Sequence, residues 1–128
     1  MITSFKDLLL WKKTDELAHK VFDISETFPS EYVIDLTNPL RRSALSIPKN
    51  IAEGCASVHT KKDFLQHLNS SRKSMNETQY LLLFAHERKL INEEEFNEFN
   101  QEYEEANKLL KDFIKSIKNR PYKLKGQK

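Results

Sequence analysis

Four times along this chain, apolar residues recur at spacings of three and four, and short polar joints separate the repeats. A turn of 3.6 residues returns a side chain to the same face at those intervals, so each repeat predicts a helix that buries one side. The first stripe runs Leu10, Leu17, Val21, Ile24, Phe28, with Phe5, Leu8 and Trp11 on an adjoining face. Ser4 and Asp7 are placed to cap its start. Phe28-Pro29 ends it, because the residue before proline is pushed out of helical angles. A polar loop then leads to Asn38 as N-cap and Pro39 at the first helical position, opening the stripe Leu40, Ala44, Ile47, Ile51. The third stripe is Phe64, Leu68, Ser71, Met75, Thr78, Leu82, Ala85, with Thr60 and Asp63 as a capping pair. The fourth and most regular is Phe96, Phe99, Tyr103, Ala106, Leu110, Phe113, Ile117, introduced by Asn92 and Glu95.

Joints of about four to six residues between the second, third and fourth helices hold neighbours antiparallel. No alternation of period two occurs over a useful length, which argues against a sheet. The expected fold is therefore all-α, an up-down-up-down antiparallel four-helix bundle over residues 1–118. Residues 119–128 form a basic tail with no stripe, expected to fray.

The stretch "SIPKNIAEG" breaks the monotony, with Pro48 inside the second helix and Gly54, one of two glycines, after it. An interior proline removes a backbone hydrogen bond and crowds the carbonyl four residues earlier, here that of Ala44, at about 3 kcal/mol. A break at Pro48 would leave under two turns beyond it, so a single bent helix is expected, closed at Gly54 in the left-handed conformation. Ser46, Asn50 and Glu53 then line one flank beside the apolar stripe, facing a neighbouring helix or a second subunit. Two accounts of them stand. They satisfy freed or terminal backbone groups or pair with a cation such as Arg42, as the polar fixtures of a helix end, or they form a ligand site or a subunit contact.

Composition narrows the classes. With 38% hydrophobic residues and a mean hydropathy of −0.67, no run approaches the roughly 20 apolar residues of a membrane span. The N-terminal "MITSFKDLLLWKK" lacks a cleavage site of the secretory kind, so a cytoplasmic location is expected. Cys55, the one cysteine, has no partner for a disulfide or a zinc site and is expected to be an inert small residue. His19, His59, His67 and His86 show no metal-type pairing and are expected on the solvated surface, and no phosphate-binding glycine loop occurs. Net charge is +2, but residues 93–105 carry seven glutamates and no cation, while residues 107–128 carry eight Lys/Arg against Asp112. Such segregation suits either a nucleic-acid-binding tail or the helix macrodipole.

The stretches "LRRSALSIPKNIAEG" and "KKDFLQHLNSSRKSMNETQYLLLFAHERKLI", with "FKDLLLWKKTDELAHKVFDISETFP" as a first helix, resemble the 23S rRNA intervening-sequence protein family. The similarity covers roughly residues 5–118. Its specific motif is R-R-x-x-x-S-I-x-x-N-I-A-E-G at Arg41 to Gly54; where the family tends to a small residue and a glycine before a serine and a later glutamate in helix three, this chain has Arg72 and Lys73 before Ser74 and Glu77. The resemblance implies a bundle that assembles as a homopentamer and has no established enzymatic activity. A related branch, the accessory variability determinant of diversity-generating retroelements, is thought to bind nucleic acid and a reverse transcriptase.

These readings converge on a non-catalytic homo-oligomer, with no cofactor or metal, whose assembly is expected to serve as a scaffold for RNA or DNA, with a protein partner as a further expected occupant. Candidate phosphate contacts are Arg41, Arg42, Lys61, Lys62, Lys115, Lys118, Arg120, Lys123 and Lys125, with Tyr122 able to stack on a base. Candidate structural or interface residues are Arg42, Ser46, Pro48, Asn50, Glu53, Gly54 and Glu77. The off-seam aromatics Phe5, Trp11, Phe22, Tyr80 and Phe84 either widen the helix faces or fill a contact between subunits. The alternative is a protein–protein module with no nucleic-acid affinity.

Overall fold

The computed structural model describes residues 5–57 and 60–119. Four helices dominate: α1 (Leu9–Ser25), α2 (Asn38–Ser57), α3 (Lys61–Glu87) and α4 (Glu93–Lys118), with no strand among the described residues. Each packs on the helix next to it in sequence, most extensively α2 on α3, and α1 closes the ring against α4. Numbers run in opposite directions across the pairs: Lys13 meets Glu105 while Lys20 meets Glu102, and Phe64 meets Phe113 while His86 meets Phe96. The arrangement is an antiparallel four-helix bundle, as the periodicity predicts.

The stripes become the core. Leu40, Ala44, Ile47 and Ile51 of α2 are fully buried, and the seven residues of the third stripe are the buried residues of α3. In α4, Ile114 is buried while Phe96 and Phe113 pack at the margin. Of the off-seam aromatics, Phe5 and Trp11 pack edge to face at 5.0 Å, whereas Phe22, Tyr80 and Phe84 remain exposed.

Several boundaries differ from expectation. Ser4 lies outside the described residues, and α1 starts at Leu9 after a 3-10 turn at Phe5–Asp7, with Leu8 at the N-cap and no side-chain cap. The helix ends at Ser25, before Phe28. The segment expected as a polar loop is helical: a 3-10 turn at Ser30–Tyr32 runs into a π-helical turn at Val33–Thr37. Asn38 is therefore no N-cap. Its φ of −66° and ψ of −45° are helical and its N–H already reaches the Val33 carbonyl, so the preceding turn satisfies what a cap would have.

At the other joints the caps are as expected. Thr60 accepts from the Asp63 N–H at 2.9 Å, and Asn92 and Glu95 form a reciprocal capping box at 2.7 and 2.9 Å. The α2–α3 joint, however, spans only residues 58–60, because α2 runs through Gly54 to Ser57. The left-handed closure falls elsewhere: Lys89, at φ 65°, ends α3, with the Lys89 and Leu90 N–H groups bonded to the His86 and Ala85 carbonyls at 2.9 Å. That is a Schellman closure built on a lysine.

Candidate functional site

The α2–α3 seam is held by small polar side chains. Ser71 Oγ donates to the Ile47 carbonyl at 2.8 Å, Ser74 Oγ to Ser46 Oγ at 2.9 Å, and Thr78 Oγ1 to Ser43 Oγ at 2.8 Å. Asn50 Nδ2 donates to the Ser46 carbonyl at 2.9 Å and to its Oγ at 3.0 Å, while Asn50 Oδ1 stands 3.3 Å from His67 Nδ1. Small residues let two backbones approach, and the hydroxyls find partners across the gap instead of crowding it. Gly54 marks a close approach: a Cβ there would lie 3.0 Å from the His67 Cβ and 3.2 Å from Phe64 Cδ1. Its role is close approach and not helix termination. α2 is continuous through buried Pro48.

Motif residues therefore divide. Ser46 and Asn50 face α3, as their flank position predicts. Glu53 and Glu77 point to solvent, and neither they nor exposed Arg42 has a bonded partner among the described residues. His67 is half-buried against Asn50, and His86 stacks on Phe96 at 4.7 Å with Nδ1 3.3 Å from the Ile91 carbonyl. Both correct the surface assignment; only His19 among the described histidines is broadly exposed, 3.7 Å from Asp15. His59 lies outside the described residues. Sequence reasoning misses Ser43 and Ser74 as seam residues; their one signal is a run of small polar residues at spacings of three and four beside the core stripes.

The cations gather at two ends. Arg41 is committed to α1: Nε donates to Ser25 Oγ at 2.7 Å, an Nη donates to the Phe22 carbonyl at 3.0 Å, and the guanidinium lies 5.0 Å from the Phe22 ring centroid. It satisfies a carbonyl of the last turn, where helices leave acceptors open. At the opposite end Lys61 Nζ donates to the Lys118 carbonyl at 2.8 Å, joining the start of α3 to the end of α4. Lys62, Lys115 and Lys118 are exposed beside it. These lysines also complement the negative end of the α4 dipole, as Glu93, Glu94 and Glu95 complement its start. Arg120, Tyr122, Lys123 and Lys125 lie outside the described residues.

Two open clefts accompany these features. One, of about 350 Å³ between α1 and α4, is acidic, with Asp23, Glu95, Glu98 and Glu102 around Lys20. The other, of about 440 Å³, is lined by Asn50, Gln66, His67, Asn69, Ser70 and Lys73. Among the described residues no group of three or more His, Cys, Asp or Glu could hold a metal ion. Burial pushes the Cys55 thiol up to about 11, which suppresses the thiolate needed for nucleophilic chemistry.

A family model described as 23S rRNA-intervening sequence protein matches residues 6–112, spanning all of α1 to α3 and most of α4. The chain belongs to that family. A solved structure, of a protein with unknown function from the S23 ribosomal protein family of Bacteroides thetaiotaomicron VPI-5482, superposes with a TM-score of 0.76. It shares 28% sequence identity, over 84% of this chain and 99% of the other. No curated protein matches. For this intervening-sequence family member, the Arg41 to Gly54 motif has a visible structural content: Arg41 ties α2 to α1, and Ser46, Asn50 and Gly54 tie it to α3. None of its helices among the described residues is long and apolar enough to cross a membrane.

Proposed function

We propose that this family member is a non-catalytic homo-oligomeric scaffold that binds nucleic acid, RNA or DNA, through its basic end. The observation that supports the reading is the bond from Lys61 to the Lys118 carbonyl at the end of α4; Lys62 and Lys115 are exposed and near these two in sequence, and Arg120, Lys123 and Lys125 follow. A chain at +2 has a weak field of its own. Assembly repeats the basic end, five times in the ring that the resemblance implies, and phosphate affinity climbs steeply with the number of cations engaged together. The polar α2–α3 seam supports the non-catalytic half of the reading, because its groups are spent on each other.

The test is a gel shift of the full chain with fragments of 23S rRNA over a salt series, beside light scattering for subunit number. Binding that weakens steeply with salt is expected, and Lys62→Glu with Lys115→Glu should flatten the salt slope by about one for each phosphate no longer neutralised. An oligomer that fails to shift any fragment at low salt would leave the protein–protein module instead.

A further inference from the structure

Most of α3 shows one apolar stripe, turned into the core. Its last third shows two. Opposite Thr78, Leu82 and Ala85, the residues Tyr80, Leu83 and Phe84 sit at i, i+3 and i+4 on the outer face, 59%, 38% and 37% exposed. A helix that is apolar on both sides is normally covered on both. The same outer row extends at heptad spacing to Lys73, Asn76 and Glu77 on one side of Tyr80 and to Glu87 on the other, all exposed. Lys73, Glu77 and Glu87 have no ion-pair partner among the described residues.

The two ends of this row are complementary in charge when the row is reversed. Lys73 lies seven residues before Tyr80 and Glu87 seven residues after it. Two copies of α3 crossing antiparallel at Tyr80 therefore set each Lys73 against Glu87 of the other copy, Tyr80 against Tyr80, and Leu83 and Phe84 against the aliphatic stems of Glu77 and Asn76. The span from 73 to 87 is about 21 Å at 1.5 Å per residue, enough for a packed helix pair.

We propose that the outer face of α3 is a contact between two antiparallel copies of this chain, with Tyr80 on the two-fold axis and Lys73 paired to Glu87 across it. The proposal rests on the homo-oligomeric reading above and specifies a contact for it. Such a contact is isologous and closes at two copies, so it is distinct from the head-to-tail contacts of a ring. It also sends the Lys61 and Lys62 ends to opposite poles, because they lie about 29 Å from Tyr80 along α3.

Light scattering and sedimentation on the full chain test it. Tyr80→Glu with Phe84→Glu should halve the mass of the wild-type assembly while leaving far-ultraviolet circular dichroism unchanged, since both side chains are already exposed. Lys73→Glu alone and Glu87→Lys alone should each weaken the association about tenfold, by turning two attractions into two repulsions. The double swap, Lys73→Glu with Glu87→Lys, should recover it to within about threefold. A wild-type particle of 15.1 kDa at every concentration would overturn the homo-oligomeric reading and this contact with it. An oligomer whose mass ignores the Tyr80/Phe84 pair, or whose charge swap does not recover, overturns the contact alone.

Discussion

Single side chains in this bundle show where its packing is unspent. Tyr103 is fully buried at the bundle centre, and its hydroxyl has no hydrogen-bond partner among the described groups. A buried polar group without a partner costs about 1–3 kcal/mol. Tyr103→Phe, which keeps the ring and its stacking on Phe99 at 6.5 Å, should therefore raise stability by about 1 kcal/mol, read as a higher melting temperature. A clear loss would show that the hydroxyl is bonded. Cys55 gives a second check at this scale. With its thiol held near 11, labelling by a thiol reagent at pH 8 should be much slower in the native chain than in denaturant. Equal rates would remove the case for an inert cysteine.

At the scale of elements, the contrast between Gly54 and Lys89 is instructive. Glycine stands where a helix needs closeness, and lysine stands where a helix needs a left-handed residue. Gly54→Val would push a branched side chain against the His67 Cβ and the Phe64 ring, and overpacking of this kind should cost about 2–3 kcal/mol in denaturant unfolding. An unchanged midpoint would mean α2 and α3 can separate freely. Lys89→Gly should do the opposite. Removing the Cβ from a residue at φ 65° relieves about 1 kcal/mol, worth roughly 3–5 °C in a domain of this size. Neither position was legible locally, because the identity of a glycine says that something is constrained without saying whether it is the backbone angle or the neighbour.

For the whole molecule, three groups push stability the same way at high pH. The Cys55 thiol stays protonated up to about 11 in the fold but ionises from its ordinary 9.0 once unfolded, and burial likewise raises Tyr103 above its ordinary 10.0. Burial opposes the charge on Lys20, yet its hydrogen bond to Glu102 at 3.3 Å and the nearby Glu16 and Glu98 outweigh this and raise it above 10.5. In each case the unfolded chain holds fewer protons over that range, so stability falls as pH rises. The decline should begin near pH 9, and Cys55→Ser should remove its earliest part; a flat profile from pH 8 to 11 would contradict the assignment. The four helices, their core stripes and the caps at Thr60 and Asn92 were set by the sequence, because hydrophobic period and local hydrogen bonding act within a few residues. The tertiary structure alone decided that Asn38 continues a helix, that Gly54 admits α3, that Arg41 serves α1, and that Lys61 meets Lys118, because each depends on which distant backbone arrives beside it.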